Sequence, residues 1–188
     1  MLLQFVNQRG MLRFDTVGTH LITCITKMMG GIILRAVVTR VKSASVSIAG
    51  EVVGQIGQGF LILLGVGPED TEAHCRRLAE KALGLRVFKD AEDKMNLGLE
   101  QIGGQVLVVS QFTLYGNCRK GRRPSFVEAA PPALGEKLYQ RFLQDCRELG
   151  FEPQHGEFGA DMQVESINDG PVTLILDTDQ LMETPRRG

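Results

Sequence analysis

Cysteine and histidine are scarce in this chain and never occur in a metal-binding pattern. The four cysteines are Cys24, Cys75, Cys118 and Cys146. They are widely separated, form no C-x-x-C pair, and have no histidine at metal-ligand spacing. The sequence therefore predicts no metal site, no cofactor and no disulfide framework. It also lacks a signal-peptide pattern and an apolar run of about 20 residues, which predicts a cytoplasmic protein without membrane association.

The shortage of histidine limits the nucleophilic chemistry that the chain could assemble. The three histidines are His20, His74 and His155. The first lies in the N-terminal segment and the second on a predicted helix face. A Ser110–His155 or Cys118–His155 pair remains open for a conventional esterase, although no nucleophile-elbow motif accompanies it. Nucleotide-binding glycines are missing as well, because Gly57-Gln58-Gly59 precedes a strand instead of joining a strand to a helix.

The chain has no overall excess of positive charge. Its formal net charge is −1 and its pI is about 6.3, so the bulk field does not attract nucleic acid. Positive charge is concentrated in one short segment, which contains Arg119, Lys120, Arg122 and Arg123. Such a cluster is usually a solvated loop, but beside a polar pocket it would contact a phosphate backbone.

The first 31 residues differ from the rest of the chain. They contain three basic residues, one acidic residue and four methionines. They lack the serine enrichment and the amphipathic period of an organelle-targeting segment. We expect residues 1–31 to be an extension that is either disordered or a mis-assigned start. Residues 32–180 then form a single domain with a substantial core, followed by a flexible tail at 181–188.

The remaining sequence predicts an α+β fold. Alternating residues around the Ala49-Gly50 turn indicate a β-hairpin, and the continuous apolar run of residues 59–66 indicates a buried central strand. Helices are predicted over 68–84 and 131–149, and further strands over 34–41, 85–88, 105–109, 152–155 and 162–177. The expected architecture is a mostly antiparallel, barrel-like β-sheet with two main helices.

Two polar features break these patterns. Gly170-Pro171 interrupts what is otherwise one long strand, where proline cannot donate to the ladder. An ordinary turn is one interpretation, and a backbone exception with a function is the other. The second feature is Ser110, Gln111 and Thr113, which follow a valine-rich strand. They could stabilise an oxyanion with amides and hydroxyls, or simply satisfy loop backbone.

Five segments of the chain together resemble the D-aminoacyl-tRNA deacylase family. They occur in the family's order and spacing and cover roughly residues 33–178. The segments are Leu34-Arg35-Ala36-Val37-Val38-Thr39-Arg40-Val41, Ser110-Gln111-Phe112-Thr113-Leu114, Lys120-Gly121-Arg122-Arg123-Pro124-Ser125-Phe126, Phe158-Gly159-Ala160-Asp161-Met162 and Asn168-Asp169-Gly170-Pro171-Val172-Thr173.

The resemblance implies a homodimer that edits tRNA by hydrolysing D-aminoacyl esters. In the family, the bond that matches Gly170-Pro171 is cis and projects into the active site of the other subunit. Its carbonyls seat the α-amino group so that an L side chain collides with backbone. The pocket thus rejects L-substrates sterically and accepts many D side chains, and glycine as well.

The resemblance also assigns roles to individual residues. The Ser110-Gln111 backbone faces the aminoacyl carbonyl, Phe112 borders the adenosine, and Thr113 lies close to the ester. Met162 lines the pocket, and Arg40 braces the Gly-Pro element across the dimer. Because no base is available to activate Thr113, RNA-assisted catalysis through the terminal 2′-hydroxyl is the favoured mechanism, without a metal.

Three other interpretations stay open. A non-catalytic tRNA-binding module would explain the basic segment 119–123 and the missing base. A conventional serine or cysteine esterase would use Ser110 or Cys118 with His155. Editing modules appended to threonyl-tRNA synthetases are also similar, but no synthetase is attached to this chain.

Overall fold

The apolar patterns of the sequence fold into a six-stranded β-sheet, which packs against two long helices, and a small two-stranded sheet. The computed structural model describes residues 34–182. The strands are β1 Arg35–Ile48, β2 Glu51–Ile56, β3 Gly59–Gly65, β4 Phe88–Lys89, β5 Met95–Leu97, β6 Gln105–Ser110, β7 Gln154–His155 and β8 Met162–Asp177. The helices are α1 Glu72–Leu83, α2 Pro132–Glu148 and α3 Thr178–Met182, with single 3₁₀ turns at Glu100–Ile102 and Phe112–Tyr115.

The sheet is mixed and is organised around the long strand β1. One edge of β1 pairs antiparallel with β3 and then with β2, while β8 pairs antiparallel along the other edge. On the far side, β3, β6 and β7 run parallel to one another. The two outermost strands of this order, β2 and β7, approach each other. A Cβ atom on Gly54 of β2 would lie 2.9 Å from the backbone oxygen of His155 in β7. The predicted α+β fold with a barrel-like sheet is confirmed.

Two apolar cores explain why β3 is hydrophobic along its whole length. Phe60 and Ile62 face α1 and α2, where they join a large cluster that includes Leu78 and Phe142. Leu61 points to the opposite face, where a smaller cluster fills the barrel interior. A strand buried on both faces has no polar positions, which is why residues 59–66 form an unbroken apolar run.

Two cysteines belong to the apolar core. Cys75 of α1 and Cys146 of α2 are completely buried, and loss of solvation raises the pKa of each thiol to about 12. His74 belongs to the start of α1, where its Nδ1 accepts the N–H of Thr71 and lies 3.0 Å from the carboxylate of Asp70. These three side chains are therefore structural.

Several predicted boundaries are wrong. The strand expected over 85–88 is limited to Phe88–Lys89, because the Val87 carbonyl accepts a hydrogen bond from Arg40 instead of joining a ladder. The strand expected over 152–155 starts only at Gln154, since Pro153 has no N–H to donate. The expected tail at 181–188 begins inside α3. The extension at 1–31 lies outside the described residues.

The entry into β1 is fixed by a buried carboxylate. Asp70 accepts the backbone N–H of Leu34 at 2.5 Å and that of Gly67 at 2.6 Å. Burial raises the pKa of this carboxyl, and the hydrogen bonds from Gly67 and Leu34, together with the neighbouring His74 side chain, oppose the shift. Asp70 therefore joins the start of β1 to the loop that follows β3.

Candidate active site

A cavity of about 570 Å³ opens at the point where β6 ends. Ser110, Gln111 and Phe112 form one side of it, the first turns of α2 form another, and the segment from Phe158 to Val164 closes it. Its volume is in the range of small-molecule binding sites. The structure thus brings together four of the predicted site residues, namely Ser110, Gln111, Phe112 and Met162.

The end of β6 supplies backbone donors beside this cavity. Ser110 pairs with Leu64 of β3, and the N–H of Gln111 then donates to the Leu64 carbonyl at 2.7 Å. The chain next enters the 3₁₀ turn, whose first N–H groups belong to Phe112 and Thr113. Neither group has a hydrogen-bond partner within residues 34–182, as is usual for the first amides of a helical turn. Such amides can stabilise an oxyanion.

Within residues 34–182, Thr113 contacts no base that could activate it as a nucleophile. Its hydroxyl oxygen accepts a hydrogen bond from the side-chain amide of Gln111, and the residue does not line the cavity. An amide donor withdraws electron density from the oxygen, whereas a nucleophile needs an adjacent base.

The pairs expected for a conventional esterase are not assembled. Ser110 lines the cavity but His155 does not, and the His155 Nδ1 lies 2.8 Å from the carbonyl oxygen of Gly156. Cys118 is exposed and outside the cavity wall, with its thiol facing the Gly116 carbonyl at 3.9 Å. Neither proposed pair has the contact that nucleophile activation requires.

Ionisable groups are few in the cavity wall. Among the described lining residues Asp161 is the only carboxylate, and it is exposed. The Tyr139 hydroxyl donates to the Val108 carbonyl at 2.9 Å, and loss of solvation raises its pKa. Tyr139 therefore stays protonated. Within residues 34–182 no group of three or more His, Cys, Asp or Glu side chains is arranged to hold a metal ion.

Arg40 holds the segment before Pro171 in place. The guanidinium is buried, donates to the Asp169 carbonyl at 2.9 Å, and lies 3.2 Å from the Asp169 carboxylate. It is so close to Gly170 that a Cβ atom there would come within 2.8 Å of it. The Gly170–Pro171 peptide is cis. These contacts are within one chain, and neither Gly170 nor Pro171 lines the cavity of that chain.

The basic segment 119–123 is a loop with a closed base. Asn117 and Ser125 exchange two backbone hydrogen bonds, of 2.8 and 3.0 Å, and the Asn117 side chain accepts the N–H of Arg119. All four basic side chains are exposed and form no ion pair with any residue in the described part of the chain. The loop thus presents uncompensated positive charge.

Comparison with known proteins decides the family. A family model described as D-Tyr-tRNA(Tyr) deacylase matches residues 37–177, which is most of the chain. The chain belongs to this deacylase family. It is 58% identical over 145 residues to the D-aminoacyl-tRNA deacylase of Desulfatibacillum aliphaticivorans, covering 77% of this chain and 99% of the relative. The enzyme of Thermosipho africanus is 54% identical over 145 residues, covering 77% and 97%.

Solved structures agree with the deacylase fold. A structure described as c-Myc DNA Unwinding Element Binding Protein is 40% identical, with a TM-score of 0.72 over 76% of this chain and 97% of the other. A probable eukaryotic D-amino acid tRNA deacylase is 19% identical, with a TM-score of 0.67 over 77% and 98%. Its high sequence identity to these deacylases and its match to the family model show that this chain is a D-aminoacyl-tRNA deacylase, a hydrolase that edits tRNA.

Some residues of the deacylase cavity were not singled out from sequence. Asp161 and Phe126 occur in the matched segments, but their place in the cavity wall is visible only in three dimensions. Gly135 of α2 was missed because a glycine within a helix gives no clear signal, yet a Cβ atom there would lie 3.0 Å from the Phe158 ring.

No helix within residues 34–182 has the length and hydropathy needed to cross a membrane.

Proposed function

We propose that this deacylase hydrolyses the ester of D-aminoacyl-tRNAs, and of glycyl-tRNA(Ala), while it rejects L-aminoacyl-tRNA. Catalysis is RNA-assisted and needs no metal. The observation that carries this proposal is the cavity at the end of β6, where the amide of Phe112 has no hydrogen-bond partner within residues 34–182 and the described wall contains no histidine. Amides can stabilise the developing oxyanion, but they cannot accept a proton.

The missing base is supplied by the substrate. An aminoacyl ester on the terminal ribose has a neighbouring 2′-hydroxyl, which lies next to the reacting carbonyl without any protein group to place it. Held in that geometry, the hydroxyl can activate water or attack, and intramolecular positioning of this kind strongly favours reaction. Ser110 and Gln111 orient the ester, and Thr113 fixes the Gln111 amide.

Stereochemical selection comes from a second copy of the chain. Gly170 and Pro171 lie outside the cavity of their own chain, so they act on the cavity of a partner in a homodimer. Strand β8 supports such an assembly, since among the described strands it pairs only with β1, and it exposes the apolar side chains of Ile167 and Ile175. Arg40 positions the projecting segment, and Met162 shapes the cavity that receives it.

The basic loop contacts the phosphates of the acceptor end. Arg119, Lys120, Arg122 and Arg123 are available for this role because they have no ion pairs within the described chain. The 40% identical structural neighbour is described as a DNA-binding protein, so duplex DNA is the natural competitor in binding assays. The compartment of this activity is the cytoplasm, where aminoacyl-tRNA is used.

The defining experiment compares D-Tyr-tRNA, L-Tyr-tRNA and glycyl-tRNA as substrates of the full chain. We expect hydrolysis of the D and glycyl esters, with a D over L ratio of kcat/KM on the order of a hundredfold or more, because an L side chain has no space. Release of free amino acid is measured. Equal rates on the D and L esters would overturn the selection mechanism.

The same assay separates the alternatives. A tRNA-binding module would bind all three substrates and cleave none. A conventional esterase would lose activity on His155→Ala and would be labelled by an acylating reagent at Ser110 or Cys118. We expect His155→Ala, Cys118→Ser and Thr113→Val to retain measurable hydrolysis, because none of these side chains has an activated nucleophile's contacts.

Removing charge from the basic loop should weaken tRNA binding in a salt-dependent way. For the double variant Arg122→Ala/Arg123→Ala we expect a shallower dependence of the association constant on salt. The magnitude of the slope of its logarithm against log salt concentration should fall by about 1.4, the value for two contacts to single-stranded phosphates. Binding is measured by titration from low to moderate salt. Lys81→Ala, on the exposed end of α1, is the matched control and should leave the slope unchanged. An unchanged slope in the double variant would exclude the loop.

A further inference from the structure

Two exposed phenylalanine rings lie between the cavity and the basic loop. Phe112 is 58% exposed and Phe126 is 38% exposed, and both line the mouth of the cavity. Their ring centroids are 5.2 Å apart, with an interplanar angle of 74°. We call Phe112 and Phe126 the aromatic shelf. Large apolar side chains that stay in water beside a binding site are candidates for contact with a ligand.

The position of Phe126 is fixed by its surroundings. The chain turns at Gly116, where a Cβ atom would lie only 3.1 Å from the Phe126 ring, so the ring lies directly against backbone. The paired backbone of Asn117 and Ser125 fixes the residue just before it. The ring is therefore held in an exposed position by the closed base of the loop and is not a mobile side chain.

The shelf offers two separate faces. Because the rings are nearly perpendicular, one flat base cannot lie on both, and each ring can stack its own base. Residue 126 follows the last basic residue, Arg123, by only three positions, so a strand that lies on Phe126 has the basic loop close by for its phosphates. Single-stranded nucleic acid is the ligand that combines exposed bases with negative charge.

We propose that Phe126 stacks the base of the nucleotide that precedes the terminal adenosine of the tRNA. The inference rests on the proposed function and on the role that the family resemblance implies for Phe112, which is to border that adenosine. The Phe126 ring then extends recognition by one nucleotide, and the basic loop takes the phosphates beyond it. Phe126 is a positioning residue, since it binds the unpaired 3′ end and touches no reacting atom.

The test uses D-aminoacyl esters of increasing length with the full chain. They are the 3′-ester of adenosine, that of the dinucleotide cytidylyl-adenosine, and the full aminoacyl-tRNA. We expect the dinucleotide ester to exceed the adenosine ester in kcat/KM by about 5- to 100-fold, the range expected for stacking one base on an aromatic ring. Phe126→Leu keeps the contact with Gly116 but removes the ring, so most of this gain should disappear, mainly through KM.

The control variant is Val127→Ala, the neighbouring residue, which is 87% exposed and cannot stack. Val127→Ala should leave the gain in kcat/KM from the adenosine ester to the dinucleotide ester within about twofold of the wild-type value. If the wild-type chain cleaves the adenosine and dinucleotide esters with the same kcat/KM, the inference is overturned while the proposed function stands. A chain that cleaves no ester overturns both.

Two further outcomes would contradict the role of Phe126. If Phe126→Leu slows the adenosine and dinucleotide esters equally, the ring acts on the cavity and not on the preceding base. If sedimentation shows that Phe126→Leu changes the oligomeric state while Val127→Ala does not, the ring belongs to an interface between copies. A loss restricted to the longer esters, with unchanged sedimentation, supports the inference.

Discussion

Arg40→Met is expected to lower the free energy of unfolding by about 3 kcal/mol and to reduce the D over L ratio at least tenfold. The guanidinium is 4% exposed and donates to the carbonyls of Asp169 and Val87. Methionine retains much of the side-chain volume but leaves both carbonyls and the Asp169 carboxylate without their donor. Removing one partner of a buried polar network is more costly than removing an exposed pair.

Urea unfolding measures the loss of stability, and the three-substrate assay measures selection at a temperature where the variant is folded. The matched control is Arg35→Met on the same strand, whose guanidinium lies 2.8 Å from the Asp177 carboxylate but is 38% exposed. Solvent screens that pair, and Arg35 has one further hydrogen bond, to the Leu114 carbonyl at 3.2 Å, so we expect a smaller loss of stability and a smaller change in selection than for Arg40→Met. Equal effects of the two variants would show that Arg40 does not position the Gly-Pro segment.

Gly59→Ala is expected to cost more than about 4 kcal/mol, enough to prevent stable folding of the domain. A Cβ atom on Gly59 would lie 1.8 Å from the carbonyl oxygen of Gln105 and 2.7 Å from its amide nitrogen. Both obstacles are backbone of β6, which pairs in parallel with β3 at this point. The added methyl group can be accommodated only if the two strands separate, and Ser110 at the other end of β6 would move with them.

Thermal and urea unfolding test this prediction, with Gly57→Ala as the matched control two residues earlier. At Gly57 the nearest atom is the flexible side-chain oxygen of Gln105 at 3.4 Å. Alanine at that position should change stability by less than about 1 kcal/mol, partly because it restricts the unfolded chain. A Gly59→Ala variant as stable as Gly57→Ala would contradict the strand pairing described above.

Local patterns in the sequence were sufficient for the long elements. The Ala49-Gly50 hairpin, the helix that ends at Gly84 and the strand over Met162–Asp177 all have short-range signals, and the structure contains them. The parallel pairing of β3 with β6 could not be predicted, because nothing local distinguishes a parallel partner 46 residues away in the register Gly59↔Gln105. The strand end set by Arg40 was missed for a similar reason, whereas the start of β7 at Gln154 follows from Pro153 and has a local signal.

The residues of the candidate site also fall into two groups, those that the sequence predicts and those that only the fold brings together. Ser110, Gln111 and Phe112 are adjacent in sequence, so finding one places the others at the end of β6. Asp161 and Phe126 enter the cavity wall from other segments, and only the fold brings them there. The Gln111 contact with Thr113, which argues against a threonine nucleophile, depends on the 3₁₀ turn and has no counterpart in the sequence pattern.

The register of β1 with β8 has a consequence for how this enzyme can change. Thr39 pairs with Thr173 and Val41 pairs with Asn168, so the four residues between them on β8 face the single residue Arg40. The ladder is secured on both sides of this excursion, so its register does not depend on the residues within it. Pro171 and Val172 can therefore change without shifting the rest of β8, whereas Asp169 and Gly170 are constrained by their contacts with Arg40. If the excursion selects substrates as proposed, selection can evolve while the paired strands stay the same.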